Sequence, residues 1–297
     1  PLDRVRLYAD GGDDADIWAG LAELGVPALL VPEAQGGIGL NPLDAAIVAE
    51  SLGAHITPSP FLGTAVMAPT ALVASGGKYD DLLAEIAAGA HRVGIAFSEA
   101  IKRRNDARVE ARDSRLFGKS LFAFDADADS YLVADQNKHL YLVAAQDPGL
   151  TRTHLTTVDK TRRTVELTYD DVAAQCISTD VGVFERVLDI GRVAIAADTL
   201  GAAQNMLDQA VEYAKQREQF NRPIGSFQAV KHMCAEMAAQ LEPCRSMVWF
   251  AGHALAELPK EARVTACHTK AHLAEVAQFV AKTATEVHGG MGFTDLV

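Results

Sequence analysis

From Arg92 to about Ser178 the apolar residues recur at every second position, while on both sides of that stretch they recur every three or four. A strand turns alternate side chains to opposite faces and a helix brings every third or fourth to one face, so this change of period fixes the order helix, strand, helix. Before the stretch, Asp13 or Asp14 is placed to cap a helix carrying Trp18, Leu21 and Leu24 that stops at Gly25. A loop with three glycines, Gly36, Gly37 and Gly39, follows Val31. Asn41 and Pro42 then open a second helix with Ala45, Val48, Ala49 and Leu52 on one side. Within the stretch, Val93–Phe97, Tyr131–Ala134, Leu140–Ala144 and Thr164–Thr168 read as strands between polar turns. After Asp180, Leu200, Met206, Leu207, Ala210, Val211 and Ala214 restore the helical step. The pattern predicts an α+β chain, mostly α, with a helical domain over 1–90, a small β-domain over 91–178 and a helical domain over 179–297.

A chain of 297 residues with 49% hydrophobic content has ample material for two or three packed units. Its formal net charge of −12 argues against a nucleic-acid or anionic-membrane partner, because phosphate backbones require a concentrated basic face. The apolar stretch Pro60–Ala74 is too short, and too broken by Gly63 and Pro69, to cross a bilayer. Cys176, Cys234, Cys244 and Cys267 have neither metal-ligand spacing nor the density of a disulfide framework, which predicts reduced thiols and a cytoplasmic location.

One segment carries a chemical signal. Tyr213-Ala-Lys-Gln-Arg-Glu-Gln-Phe-Asn-Arg-Pro-Ile-Gly-Ser-Phe-Gln-Ala-Val230 reads as a helix ending near Phe220, a turn at Pro223 and Gly225, and a new helix capped by Ser226. A fresh helix N-terminus beside the planar forks of Arg217 and Arg222 is an anion site. The plain alternative is an Arg-rich hairpin pairing with Glu212 and Glu218. Elsewhere the signals are weaker. His268 and His272 stand four apart but lack the Glu of a zinc-protease motif, and Asp125-Ala-Asp-Ala-Asp129 lacks the Gly and Glu of a calcium loop, so no metal site is expected.

Arg217-Glu-Gln-Phe-Asn-Arg-Pro-Ile-Gly-Ser-Phe-Gln-Ala-Val230 and His288-Gly-Gly-Met-Gly-Phe-Thr294 resemble the flavin-binding signatures of the acyl-CoA dehydrogenase family, as does Leu24–Leu40 near the start. The resemblance implies that family's fold, with an N-terminal helical domain, a middle β-domain and a C-terminal four-helix bundle, and it implies FAD shared across a dimer. It assigns Arg217, Gln219, Phe220, Ile224, Phe227, Val230, Glu286, Gly289 and Gly290 to the set that reaches over to a neighbour's FAD, with Arg217 on the pyrophosphate. Glu286 departs from the usual Gln, which near a pyrophosphate is repulsive unless the acid pairs with a base or a ribose hydroxyl.

The set that would hold the flavin ring in this chain's own pocket is degraded. Where the family reads Thr-Glu-Pro-Gly-Ala-Gly-Ser-Asp, this chain reads Phe97-Ser-Glu-Ala-Ile-Lys-Arg-Arg-Asn-Asp106, and Ala123 stands where a threonine hydroxyl is usual. Gly191 occupies the position at which one branch of the family carries its glutamate base; the commoner branch places that base past Val297. Asp189 and Glu185 are nearby acids expected to face solvent. The resemblance therefore implies the non-catalytic half of an α2β2 acyl-CoA dehydrogenase, partnered by a homologous catalytic subunit. A steroid-derived acyl-CoA is the implied substrate and an electron-transferring flavoprotein the implied acceptor. A homotetramer with a divergent pocket and a flavin-free assembly subunit are the alternatives.

Overall fold

The computed structural model describes residues 2–102, 104 and 107–294. The first helices are α1 (Leu2–Ala9), α2 (Ala15–Glu23) and α3 (Pro42–Ala54), followed by a buried π-helical stretch (Phe61–Met67), α4 (Ala68–Val73) and α5 (Asp80–Ala87). Then come β1 (Val93–Ala96), the single turn α6 (Ser98–Ile101), β2 (Val109–Arg112), β3 (Arg115–Phe124), β4 (Ser130–Ala134), β5 (Leu140–Ala144), β6 (Leu150–His154), β7 (Thr164–Ala173) and β8 (Gln175–Ser178). The chain continues through α7 (Val181–Gln216), the short strands β9 (Glu218–Gln219) and β10 (Arg222–Pro223), α8 (Gln228–Glu257), α9 (Ala262–His288) and a 3₁₀ turn (Gly289–Phe293). The order is the one the periodicity predicts. The chain packs as two compact units, Pro1–Asn41 with Pro58–Gly191, and Pro42–Thr57 with Arg192–Val297.

The first unit is built on one sheet in the order β6-β7-β3-β1-β4-β5-β8, with β2 pairing on β3. Strand β4 is buried along its whole length because both of its faces are covered. Its Tyr131 and Val133 pack inside the sheet against Leu116, Val165 and Leu167, and its Leu132 and Ala134 pack against Leu72, Ile86 and Phe184 of the helices. Strand β3 escapes the period-two reading because its pairing with β7 shifts register twice, between Leu116 and Gly118 and between Ser120 and Ala123. The first adds a residue to β7 between Tyr169 and Val172; the second adds one to β3 and turns the following side chains over, so Leu116 and Ser120 are followed by Ala123 as the buried positions. Asp13 accepts from Ala15 N–H at 3.0 Å at the start of α2, and the Trp18 indole N–H donates to Gly89 O at 2.9 Å, fastening α2 to the end of α5.

In the second unit α8 and α9 form a long antiparallel pair around Met237, Leu241, Val248, Leu273, Val276 and Val280. Helix α8 runs through Pro243 without a break. Helix α3 packs in this unit rather than with its sequence neighbours: Arg245 of α8 pairs with Glu50, and Asn205 of α7 donates to Ala54 O. Among the described residues no helix is long and apolar enough to cross a membrane.

Candidate functional site

Helix α7 ends at Gln216, one turn earlier than Phe220, and the backbone N–H of Arg217 makes a last bond to Tyr213 O at 2.8 Å. The chain then makes a tight hairpin. Glu218 pairs with Pro223 and Gln219 with Arg222, and Ile224 N–H donates to Arg217 O at 2.8 Å, adding a rung. The two loop residues, Phe220 and Asn221, have φ of 55° and 59°, the signature of a type I′ turn. Asn tolerates that conformation. A bulky aromatic does not, and its strain costs about 1–3 kcal/mol, a feature that concentrates at ligand sites. Phe220 is nonetheless 87% exposed, with the Phe227 ring edge-on to it at a ring separation of 6.0 Å. Arg222 lies 4.0 Å from the centre of the Phe227 ring, so its guanidinium is held in place by cation–π attraction.

Alternation along the hairpin puts Arg217, Gln219 and Arg222 on one side of it. Arg217, Gln219 and Phe220 are exposed, and Ile224, Phe227 and Val230 are half-buried beneath them. Ser226 does not cap α8. It sits in a 3₁₀ turn, donating its hydroxyl to Pro223 O at 2.7 Å, and Phe227 occupies the cap position without a side-chain bond to the helix. Serine's local bond to the preceding carbonyl won over the cap, and the N-terminal N–H groups of α8 keep their unpaired polarity.

The remaining members of the implied set lie at the far end of α9. Gly289 has φ 59° and ψ −132°, a conformation open in practice only to glycine, and a Cβ on Gly289 or Gly290 would meet nothing. Bare backbone therefore faces open space. Glu286 is exposed with Lys282 Nζ at 4.0 Å, the base that offsets its charge. Two residues outside the implied set join the segments. The Tyr213 ring packs on the His288 imidazole at 4.6 Å, one helical turn before Arg217 on one side and immediately before Gly289 on the other. The sequence signal for this contact is faint, since only the fold makes the helix ends neighbours.

The positions implied to serve a flavin ring in this chain present a different picture. Ser98 and Glu99 form α6, where the Ser98 hydroxyl donates to Glu99 Oε2 at 2.5 Å and the buried Glu99 carboxylate pairs with Arg104 at 3.4 Å. Arg104 in turn lies 5.1 Å from the Phe122 ring. Arg103, Asn105 and Asp106 of the same segment lie outside the described residues. Ala123 is fully buried inside the sheet and offers no polar group. Gly191 is backed by the π-helical stretch: a Cβ there would stand 2.8 Å from Met67 Sδ and 3.2 Å from its methyl. Real side chains do not approach so closely. No acid fits at position 191 unless Met67 moves.

Asp189 is buried rather than solvent-facing, because α7 turns that side toward the core that also receives Val187 and Ile190. Glu185 is half-buried, with Lys138 Nζ at 3.9 Å. His268 and His272 are exposed, and among the described residues no group of three or more His, Cys, Asp or Glu is placed to hold a metal ion. Asp125–Asp129 is the turn between β3 and β4, as the sequence indicates. Burial pushes the Asp125 carboxyl up to about 6.

FAD thus fits one half of the chain and not the other. The hairpin and the Gly289–Gly290 turn present exposed cationic and bare-backbone groups of the kind a pyrophosphate and adenosine require, whereas the ring positions carry an ion pair and a buried alanine, and the base position of one branch is a glycine against Met67. Comparison with known proteins places the chain. The model of the acyl-CoA dehydrogenase N-terminal domain matches residues 3–89, and that of the C-terminal domain matches residues 181–296. Acyl-CoA dehydrogenase IpdE2 of Mycobacterium tuberculosis is 32% identical over 98% of this chain and 80% of its own length. Two solved structures superpose closely. A variant of the Tcur3481–Tcur3483 steroid ACAD gives a TM-score of 0.88 at 28% identity, covering 98% of this chain and 82% of that one. The ChsE4–ChsE5 complex from Mycobacterium tuberculosis gives 0.85 at 26%, covering 96% and 81%. By both its domain models and its full-length relative, the chain belongs to the acyl-CoA dehydrogenase family.

Proposed function

We propose that this chain is the flavin-donating, non-catalytic subunit of a heteromeric acyl-CoA dehydrogenase, completing an FAD site whose ring and base belong to a homologous partner in an α2β2 assembly. The observation that carries the reading is the contrast between an exposed, pre-shaped Arg217 hairpin and a Gly191 position filled by Met67. When bound, FAD supplies the hydride acceptor for α,β-desaturation of an acyl-CoA thioester. The work of this chain is to hold. Arg217 offers two parallel N–H bonds to pyrophosphate oxygens, Phe220 and Gln219 cover the same ligand from the hairpin tip, and the uncapped N-terminus of α8 adds partial positive charge. Gly289 and Gly290 admit the adenosine end at backbone distance, with Glu286 available to a ribose hydroxyl.

The likeness to a steroid ACAD and to the ChsE4–ChsE5 complex supports a bulky, steroid-derived acyl-CoA as substrate and a two-polypeptide assembly. An electron-transferring flavoprotein is the expected acceptor. The four cysteines are all free thiols, which suits a reducing cytoplasm. Arg217→Ala tests the assignment in the complex formed with the product of a neighbouring dehydrogenase-like gene. Losing a bidentate charged contact should lower FAD affinity roughly tenfold to a hundredfold while leaving the assembly intact by size-exclusion chromatography. Undiminished flavin retention refutes it. One FAD on every copy of the isolated chain would favour the homotetramer instead, and a flavin-free complex would favour a pure assembly role.

A further inference from the structure

The two donated segments lie about 70 residues apart in sequence, and each ends a separate long helix. A pyrophosphate and an adenosine belong to one ligand, so segments already held in fixed relation bind it without the cost of ordering them first. Between them the structure places one aromatic contact, Tyr213 on His288, with ring centroids 4.6 Å apart and planes tilted by 33°. The imidazole and the backbone that carries the phenol ring are both held. The His288 Nδ1–H donates to Ala284 O at 2.8 Å, one turn back on α9, which fixes the imidazole plane, and the residue is 7% exposed. The carbonyl of Tyr213 accepts the Arg217 N–H at 2.8 Å, so the backbone that carries the ring also sets where the hairpin leaves α7. On the other side, His288 is directly bonded to Gly289, whose glycine-only conformation turns the chain away from α9.

We infer that Tyr213 and His288 are positioning residues for FAD: their stack locks the end of α7 to the end of α9 and so sets the distance between Arg217 and the Gly289–Gly290 backbone. The inference rests on the flavin-donating reading. Neither ring has to touch the cofactor. Their role is to remove the freedom of two helix ends that would otherwise be ordered at the expense of binding.

A double-mutant cycle on the complex, with FAD dissociation constants read from flavin fluorescence, tests this. Tyr213→Leu should weaken FAD about fivefold, the loss expected when one aromatic pair is removed, and Tyr213→Phe should stay within about twofold because the ring remains. In an Arg217→Ala background the same Tyr213→Leu change should cost less than about twofold, because the contact it positions is already gone. A fivefold loss in both backgrounds, or none in either, overturns the inference. His288→Gln, which keeps a side-chain donor but removes the ring, should follow the same pattern and substitutes for Tyr213→Leu if that variant does not fold. An Arg217→Ala complex that binds FAD normally overturns the donating reading itself, a failure distinct from additive losses.

Discussion

Asp125 should destabilise this protein at neutral pH, and Asp125→Asn should relieve it. The residue opens the turn between β3 and β4 with φ 65°, and its Oδ2 is buried with no hydrogen-bond partner. Desolvation is the dominant influence, partly offset by Arg92 and reinforced by Asp14 and Asp127, and it raises the carboxyl from 3.8 to about 6. A carboxyl whose folded value is raised contributes stability below its unfolded pKa and loses it as pH climbs through the folded value. At 1.36 kcal/mol per tenfold change in acidity, the displacement corresponds to about 3 kcal/mol above pH 6. An asparagine amide in the same place leaves one donor unpaired, which costs about 1 kcal/mol, so the net gain at pH 7.5 is about 2 kcal/mol. At pH 4 the wild-type carboxyl is largely neutral in the fold, and the two proteins should differ by no more than about 0.5 kcal/mol, the residue's preference for a left-handed conformation. Urea unfolding of both proteins at pH 4 and 7.5 reads the difference directly. An equal gain at both pH values would assign the whole effect to the backbone and refute the electrostatic argument; a loss at pH 7.5 would refute both.

Two further substitutions probe the halves of the chain. Gly191→Glu should lower the melting temperature by more than about 5 °C, because a charged side chain is driven into Met67 in the core, and should confer no dehydrogenase activity on the isolated chain; an unchanged melting curve would show that the position is open. Phe220→Asn should leave stability unchanged or raise it by about 1 kcal/mol, since Asn accepts a positive φ, while reducing FAD affinity of the complex; a variant that binds FAD as tightly as wild type would remove Phe220 from the ligand site.

How much could be read in advance follows from how local each determinant is. The order of helices and strands, the start of α3 at Pro42 and the turn at Asp125–Asp129 were legible because period, proline placement and polar clustering act over a few residues. Strand β3 was not, because its bulges are set by pairing with β7, some 45 residues away. The hairpin at Phe220–Asn221 was masked by the absence of glycine at either turn position, the residue that usually announces a type I′ turn. Ser226 failed as a cap because the helix began one residue later than its hydroxyl could serve. The Arg217 and Gly289–Gly290 segments were legible as family motifs with a proposed role toward FAD, whereas the Tyr213–His288 contact and the packing of Met67 on Gly191 depend on which helices become neighbours.

The positions proposed to hold FAD and those at which the family's ring and base residues are replaced also separate along the fold. Arg217 to Val230 and Glu286 to Gly290 all lie in the second unit, while Ser98, Glu99, Ala123, Met67 and Gly191 lie in the first. Groups that share no partners contribute to stability and binding almost independently. A change that fills the ring side, such as methionine packed against a glycine, can therefore accumulate in the first unit's core without disturbing the stack and hairpin that shape the second. The opposite course is not available to an enzyme that works as identical copies, because each chain would have to supply both halves of every site. Under the proposed reading unlike partners lift that requirement, and this chain keeps its donating half while the residues of its own ring pocket are free to change.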